Sequence, residues 1–287
     1  MMNNLKTTLL LAALTGILMA IGGVFGGRSG VGIMLMVSLA MNLGSYWFSD
    51  KIVLSMYKAR EITAEQGPDL FKMVANLAHR ANLPMPRVYV IDSDVPNAFA
   101  TGRSPQYGVV AVTTGIMKTL TYDELAGVVS HELAHIKNRD TLISTVVASI
   151  AGVITWIAHM AQWSAILGMG RSNDDDNGGN LVGTLFTIIL APLAATLIQL
   201  GISRSREYMA DEIGGVISRN PLALASALEK IDYYAQHKVL PASTPSTSHL
   251  FIINPLSGTG ERMMNLFSTH PATAQRIARL REQARRS

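Results

Sequence analysis

The chain has 287 residues, a formal net charge of +4, 15% charged and 48% hydrophobic residues, and no cysteine. Soluble domains carry about a quarter charged residues, so a chain this poor in charge points to a membrane protein. Without cysteine there is no disulfide framework and no thiolate metal ligand, and lysines and arginines scattered without interleaved aromatics argue against a nucleic-acid partner.

Two apolar stretches open the chain. Residues 7–25 are uncharged and follow Lys6, and residues 31–48 end in Tyr46-Trp47-Phe48, an aromatic cluster of the kind found at membrane–water interfaces. Two further stretches follow later: residues 142–169, with His159 and Gln162 as the strongly polar side chains, and residues 181–202, with Pro192 inside. A bilayer core is crossed by about 20 apolar residues, so each of the four is long enough. A second apolar segment so soon after the first favours a retained hairpin over a cleaved signal peptide. For the later pair, buried core helices are the alternative.

Charge sets the orientation. The first short connector holds only Arg28, and the one at residues 171–179 holds a single arginine and the run Asp174-Asp175-Asp176. The two long polar parts are rich in lysine and arginine, which places both of them, and both termini, in the cytoplasm. The expected organisation is a membrane hairpin over residues 1–48, a first cytoplasmic part over 49–141, a second hairpin over 142–202 and a second cytoplasmic part over 203–287.

Between the hairpins, helical periodicity covers residues 68–82, strand alternation covers 87–91, and residues 96–101 lead through a turn at 102–105 to a second strand over 107–113. Thr121 reads as a helix N-cap, with Glu124 three residues on and acidic side chains in the first turn. That helix carries His131-Glu132-Leu133-Ala134-His135. Side chains four apart stand on one helical face, so two imidazoles can share one metal ion while the adjacent glutamate reaches a metal-bound water. After the fourth apolar stretch, residues 207–218 and 221–235 look helical. Residues 241–260 read as a long loop rich in Ser, Thr, Pro and Gly, and 272–286 as a basic terminal helix.

A catalytic zinc site needs a third protein ligand and an open position. A third histidine of the metzincin type is excluded, because Asn138 and Thr141 occupy the positions that would carry its Gly and His. Glu207 is the best candidate: it follows the second hairpin as His135 precedes it, and a hairpin returns the chain to the same membrane face. Asp211, one turn on, can accept a hydrogen bond from a ligand imidazole. The competing reading pairs Glu207 and Asp211 with Arg204 and Arg206.

HELAHIKNRDT, SRSREYMAD, NAFATG at residues 97–102 and LFSTHPATAQRI at residues 266–277 together resemble the HtpX family, membrane-embedded zinc endopeptidases related to the CAAX prenyl proteases. The resemblance covers nearly the whole chain. It implies a membrane α+β protein, with four transmembrane helices and a gluzincin-like, mainly helical cytoplasmic protease domain with a small β-sheet. It implies one Zn²⁺ per chain on His131, His135 and Glu207, with Glu132 as general base. It also implies cleavage of misfolded membrane proteins at the bacterial inner membrane, so that protein substrates and the lipid bilayer are the partners.

Further roles attach to residues around this centre. His270, at the start of the terminal helix, is a candidate oxyanion stabiliser or switchable extra ligand, and Arg276 either helps it or pairs with Glu207 or Asp211. Asn97, Ala98, Phe99 and Ala100 are the expected substrate-binding strand, adding a peptide through main-chain bonds. The charges Lys137, Arg139 and Asp140 after the histidine pair would each cost about 3 kcal/mol at a bilayer centre, which puts the site at or above the cytoplasmic interface. The rivals are a CAAX-type prenyl protease and a non-catalytic, zinc-stabilised scaffold. Oligomeric state is not legible in the sequence.

Overall fold

The structure, a computed structural model, describes residues 2–141, 143, 204–237 and 271–286. Helix α1 spans Met2–Met56 and is broken at Gly27, whose φ of 55° and ψ of −142° are non-helical. There the chain folds back on itself. The Asn42 side chain donates to Thr15 Oγ1 at 3.0 Å, and a Cβ at Gly30 would collide with the Gly22 carbonyl. Glycine at both positions is what allows the two arms to touch. The two arms coincide with the first two apolar stretches.

Among the described residues one segment, Gly26–Phe48, is long and apolar enough to cross a bilayer, judged by length and composition. That corresponds to the second of the four expected spans. The third and fourth stretches, residues 142–202, lie outside the described residues but for Ile143.

The second arm does not stop at the interfacial aromatics; it runs on to Met56 and packs under a four-stranded sheet. The strands are β1 (Arg60–Glu61), β2 (Arg87–Ile91), β3 (Ala98–Thr101) and β4 (Val109–Thr113), in the order β1-β2-β4-β3. β2 and β4 are parallel, while β1 on β2 and β3 on β4 are antiparallel. Side chains alternate across a sheet, and this one uses both faces. Val88, Val110 and Val112 enter the main helical core, whereas Tyr89, Val109 and Ala111 meet Val53 and Leu54 of α1 and the Phe99 ring. Full burial of an aliphatic side chain contributes roughly 1.5–3 kcal/mol, so Val53 and Leu54 tie the N-terminal helix firmly to the sheet.

The main core lies between the sheet and a set of helices: α2 (Pro68–Arg80), α4 (Tyr122–Asn138), α5 (Arg204–Ser218), α6 (Pro221–His237) and α7 (Thr273–Arg286), with the short α3 (Thr114–Thr119) after β4. The strand at 87–91 and the ends of α2, α5, α6 and α7 fall within a few residues of the sequence expectation. α4 begins as its sequence signals. Thr121 Oγ1 accepts from the Glu124 N–H at 3.4 Å, and the Glu124 carboxylate accepts from the Thr121 N–H at 2.8 Å. The same carboxylate accepts from Ser226 and Lys230 of α6, each at 2.7 Å, so one capping residue also fastens α4 to its neighbour.

Candidate metal centre

α4 is the central helix of the domain, buried along most of its length, and it carries both histidines inward. The His131 and His135 rings stand edge to face, with centroids 4.7 Å apart and Nε2 atoms 3.1 Å apart. Glu207 comes from the first turn of α5, its Oε2 3.6 Å from His131 Nε2 and its Oε1 3.6 Å from His135 Nε2. Close helix packing brings it there. A Cβ at Gly214 would lie 2.9 Å from the His131 backbone nitrogen, so only glycine lets α5 approach α4 at this level.

These separations can be tested against a metal. Ligand atoms 2.0–2.1 Å from a tetrahedral ion stand about 3.3 Å from one another. The observed 3.1, 3.6 and 3.6 Å bracket that edge. The three residues, two imidazoles and a carboxylate, could hold a metal ion. Electrostatics agree: burial pushes the His131 imidazole down, but the Asp211 and Glu207 carboxylates outweigh it and draw the group up to about 9. The pocket favours positive charge.

Each imidazole is backed by a carboxylate, and each carboxylate by an arginine. His131 Nδ1 lies 2.9 Å from Asp211 Oδ1, at an angle that makes the contact more ionic than hydrogen-bonded. Arg276 grips Asp211 with two parallel bonds, Nε to Oδ2 at 2.8 Å and a terminal nitrogen to Oδ1 at 2.7 Å. Burial raises the Asp211 carboxyl, and Arg276 overrides it to bring it down to about 2. On the other side His135 Nδ1 lies 3.2 Å from Asp140 Oδ2, and Arg206 Nε stands 3.8 Å from Asp140 Oδ1. Such outer partners fix the ring orientation that presents Nε2 to a metal.

The backing role of Asp140 is not legible in the sequence. Its position depends on Arg139, which ends α4 in the left-handed conformation at φ 59° and turns the chain back towards His135. A charged residue five places after a ligand histidine, just past the helix end, is the available signal.

Glu132 is buried beside the ligands. Burial pushes its carboxyl up, the neighbouring histidines pull it down, Glu207 raises it again, and the Ala100 N–H bonds to it; the outcome is a raised pKa. This contact places the edge strand β3 over the glutamate. Within β3 the expected substrate residues divide by parity. Asn97 has both main-chain groups committed to Thr113, its N–H to the side-chain oxygen and its carbonyl to the N–H. Hydrogen bonding alternates along an antiparallel pair, so Phe99 likewise faces β4, and the main-chain groups of Ala98 and Ala100 face away from it. The Phe99 side chain packs on Tyr57 in the core. His270 lies outside the described residues.

A buried His-Glu-x-x-His helix completed by a carboxylate from a later helix defines a metallopeptidase. Residues 64–284 match peptidase family M48. The protease HtpX homolog of Syntrophobacter fumaroxidans is 54% identical over 280 residues, covering 97% of this chain and 99% of that one. The HtpX homolog of Pyrococcus furiosus is 52% identical over 277 residues, covering 96% and 94%. In the crystal structure of S. mikatae Ste24p the same fold recurs at a TM-score of 0.53 and 18% identity, covering 97% of this chain and 66% of that one. The chain therefore belongs to peptidase family M48, as an HtpX-type metalloendopeptidase.

Proposed function

We propose that this chain is a zinc-dependent endopeptidase of the cytoplasmic membrane that cuts misfolded or damaged membrane proteins at segments exposed on the cytoplasmic side. The observation that carries the reading is the convergence of His131, His135 and Glu207 beside the buried carboxylate of Glu132. Two imidazoles and one carboxylate would hold one Zn²⁺ per chain, a donor set that suits zinc. When bound, the ion supplies Lewis acidity to a peptide carbonyl and to a water.

The remaining work falls to the chain. Glu132, kept basic enough by its surroundings and aimed by the Ala100 N–H, takes the proton of the attacking water and returns it to the leaving amine. Asp211 and Asp140 hold the ligand imidazoles in register. The main-chain groups of Ala98 and the carbonyl of Ala100, whose N–H is engaged by Glu132, form the edge to which an extended substrate adds as a further strand, independent of its side chains. Asn97 and Phe99 hold that strand to the sheet. His270 remains the proposed stabiliser of the developing oxyanion or an exchangeable extra ligand. The charged end of α4 keeps the reaction outside the lipid, with both termini and the site cytoplasmic.

The direct test compares wild type with Glu132→Gln, purified in detergent and supplied with Zn²⁺, on an unfolded protein and in self-digestion. Equal zinc uptake with cleavage by the wild type alone is expected. Cleavage by both would remove Glu132 from the reaction, and a variant without zinc uptake would give it a structural part instead.

A further inference from the structure

Arg103 sits in the turn between β3 and β4, with its guanidinium carbon 3.7 Å from the centroid of the Tyr107 ring and 4.4 Å from that of Trp47. Trp47 belongs to the interfacial aromatic cluster that closes the Gly26–Phe48 span. Stacking between two rings fixes the plane of the guanidinium while leaving its N–H groups at the edge, pointing away from both faces. Among the described residues no carboxylate pairs with Arg103. The nearby acid of the hairpin, Asp50, is already bound by Arg87.

Two other observations tie this turn to the ends of apolar stretches. The Gly102 carbonyl accepts from Thr141 Oγ1 at 2.8 Å in a buried bond, and Thr141 immediately precedes the apolar stretch that begins at residue 142. Gly102 itself holds φ at +122°, a conformation reserved for glycine. The turn is thus clasped between the end of one apolar stretch and the beginning of another. Exposed basic side chains lie at the same chain ends: Lys51 is over the Phe48 ring, and Lys137 and Arg139 precede Thr141. Trp47, Phe48 and Tyr107 are each about half exposed.

We infer that Arg103, held between Trp47 and Tyr107, is a binding site for the phosphate of an anionic membrane lipid. A planar fork of donors matches two phosphate oxygens, and flanking lysine and arginine charges favour a lipid with net negative charge. The two rings occupy the depth at which aromatic side chains settle in a bilayer. Through Gly102 and β3, the occupied site also steadies the strand that overlies Glu132. The inference rests on reading Gly26–Phe48 as a membrane span and is independent of whether the centre hydrolyses peptides.

The test uses the full chain in nanodiscs containing equal parts phosphatidylglycerol and phosphatidylcholine, followed by native mass spectrometry of the lipids retained on release. Wild type should retain phosphatidylglycerol in preference. Arg103→Ala should lower that preference about tenfold, the worth of one charge-assisted phosphate contact, while binding Zn²⁺ as wild type does. Arg103→Lys, which keeps the charge and loses the planar fork, should fall between them. Undiminished preference in Arg103→Ala would overturn the site while leaving the membrane reading intact. Absence of any preference in wild type would overturn it as well, and loss of the preference on adding millimolar inorganic phosphate would assign Arg103 to soluble phosphate instead.

Discussion

The two histidines of the metal centre are held by the same device built to different tolerances. Behind His131, a fully buried Arg276 clamps Asp211 through two bonds below 3 Å, and this arginine comes from α7, far along the chain. Behind His135, Arg206 approaches Asp140 to 3.8 Å, and the ring itself keeps 16% of its surface exposed against 2% for His131. The His131 side is dry, tertiary and rigid. The His135 side takes its carboxylate from five residues further along the same segment, and its ring is more exposed. One half of the site is an anchor drawn from three helices, and under the proposed function the other is the half that adjusts as a peptide enters and leaves.

The strongest way to break this asymmetry is to remove each arginine in turn. Arg276→Met leaves the Asp211 carboxylate buried without its partner, which costs about 3–5 kcal/mol. It should also weaken zinc binding by roughly 10–100-fold. Arg206→Met withdraws a partner that stands 3.8 Å from the buried Asp140 carboxylate, and should cost less than the loss of Arg276, about 1–3 kcal/mol. Thermal unfolding and competitive zinc titration measure both, and equal losses from the two variants would mean that the halves do not differ.

Gly214→Ala probes the anchor without touching a charge. The added methyl meets the His131 backbone, and overpacking of this kind costs about 1–3 kcal/mol. Because the methyl pushes α5 away from α4, Glu207 should lose its reach, so zinc affinity should fall more steeply than stability. A variant whose unfolding temperature drops while its zinc affinity holds would show that helix spacing does not set ligand reach.

The smallest effect belongs to Glu124, remote from both halves and therefore a control. Burial raises its carboxyl, but the hydrogen bonds from Lys230, Ser226 and Thr121 prevail and bring it down to about 2. A carboxyl lowered on folding stabilises the native state above its unfolded value, near 4.5, and loses that contribution as pH falls towards 2. Its worth is on the order of 2 kcal/mol, reduced by the partial exposure of Lys230. Glu124→Gln should flatten the acid limb of the unfolding temperature between about pH 4.5 and 2 and leave zinc affinity at neutral pH unchanged. An acid limb identical to wild type would take Glu124 out of the pH response.

What the sequence reveals is local, and what it hides is relational. Thr121 and Glu124 mark the start of α4 because a capping box is written in adjacent residues, and His131 with His135 follow from the pitch of that helix. Glu207 is read in the sequence from an expected hairpin over residues 142–202, which lie outside the described residues but for Ile143, and it does group with His131 and His135. β1 escapes a sequence reading because two residues form a strand only when β2 offers an edge, and α3 because six residues are too few to display a period. The parity of β3 depends on its register with β4, which separates Ala98 and Ala100 from Asn97 and Phe99 although all four look alike in the sequence. Asp140 becomes visible as a partner of His135 only once Arg139 is seen to reverse the chain.

The unbroken second arm of α1, from the bend at Gly27 to Met56, carries a geometric consequence. A helix rises 1.5 Å per residue and resists compression, so its footing beneath the sheet holds Glu132 at a set elevation above the bend at Gly27. Under the proposed reaction that elevation acts as a ruler. A neighbouring protein whose helices stay wound down to the headgroups has no slack to lift a peptide bond to the required height, whereas one with a frayed flank does, and selection of damaged chains then needs no recognition of their sequence.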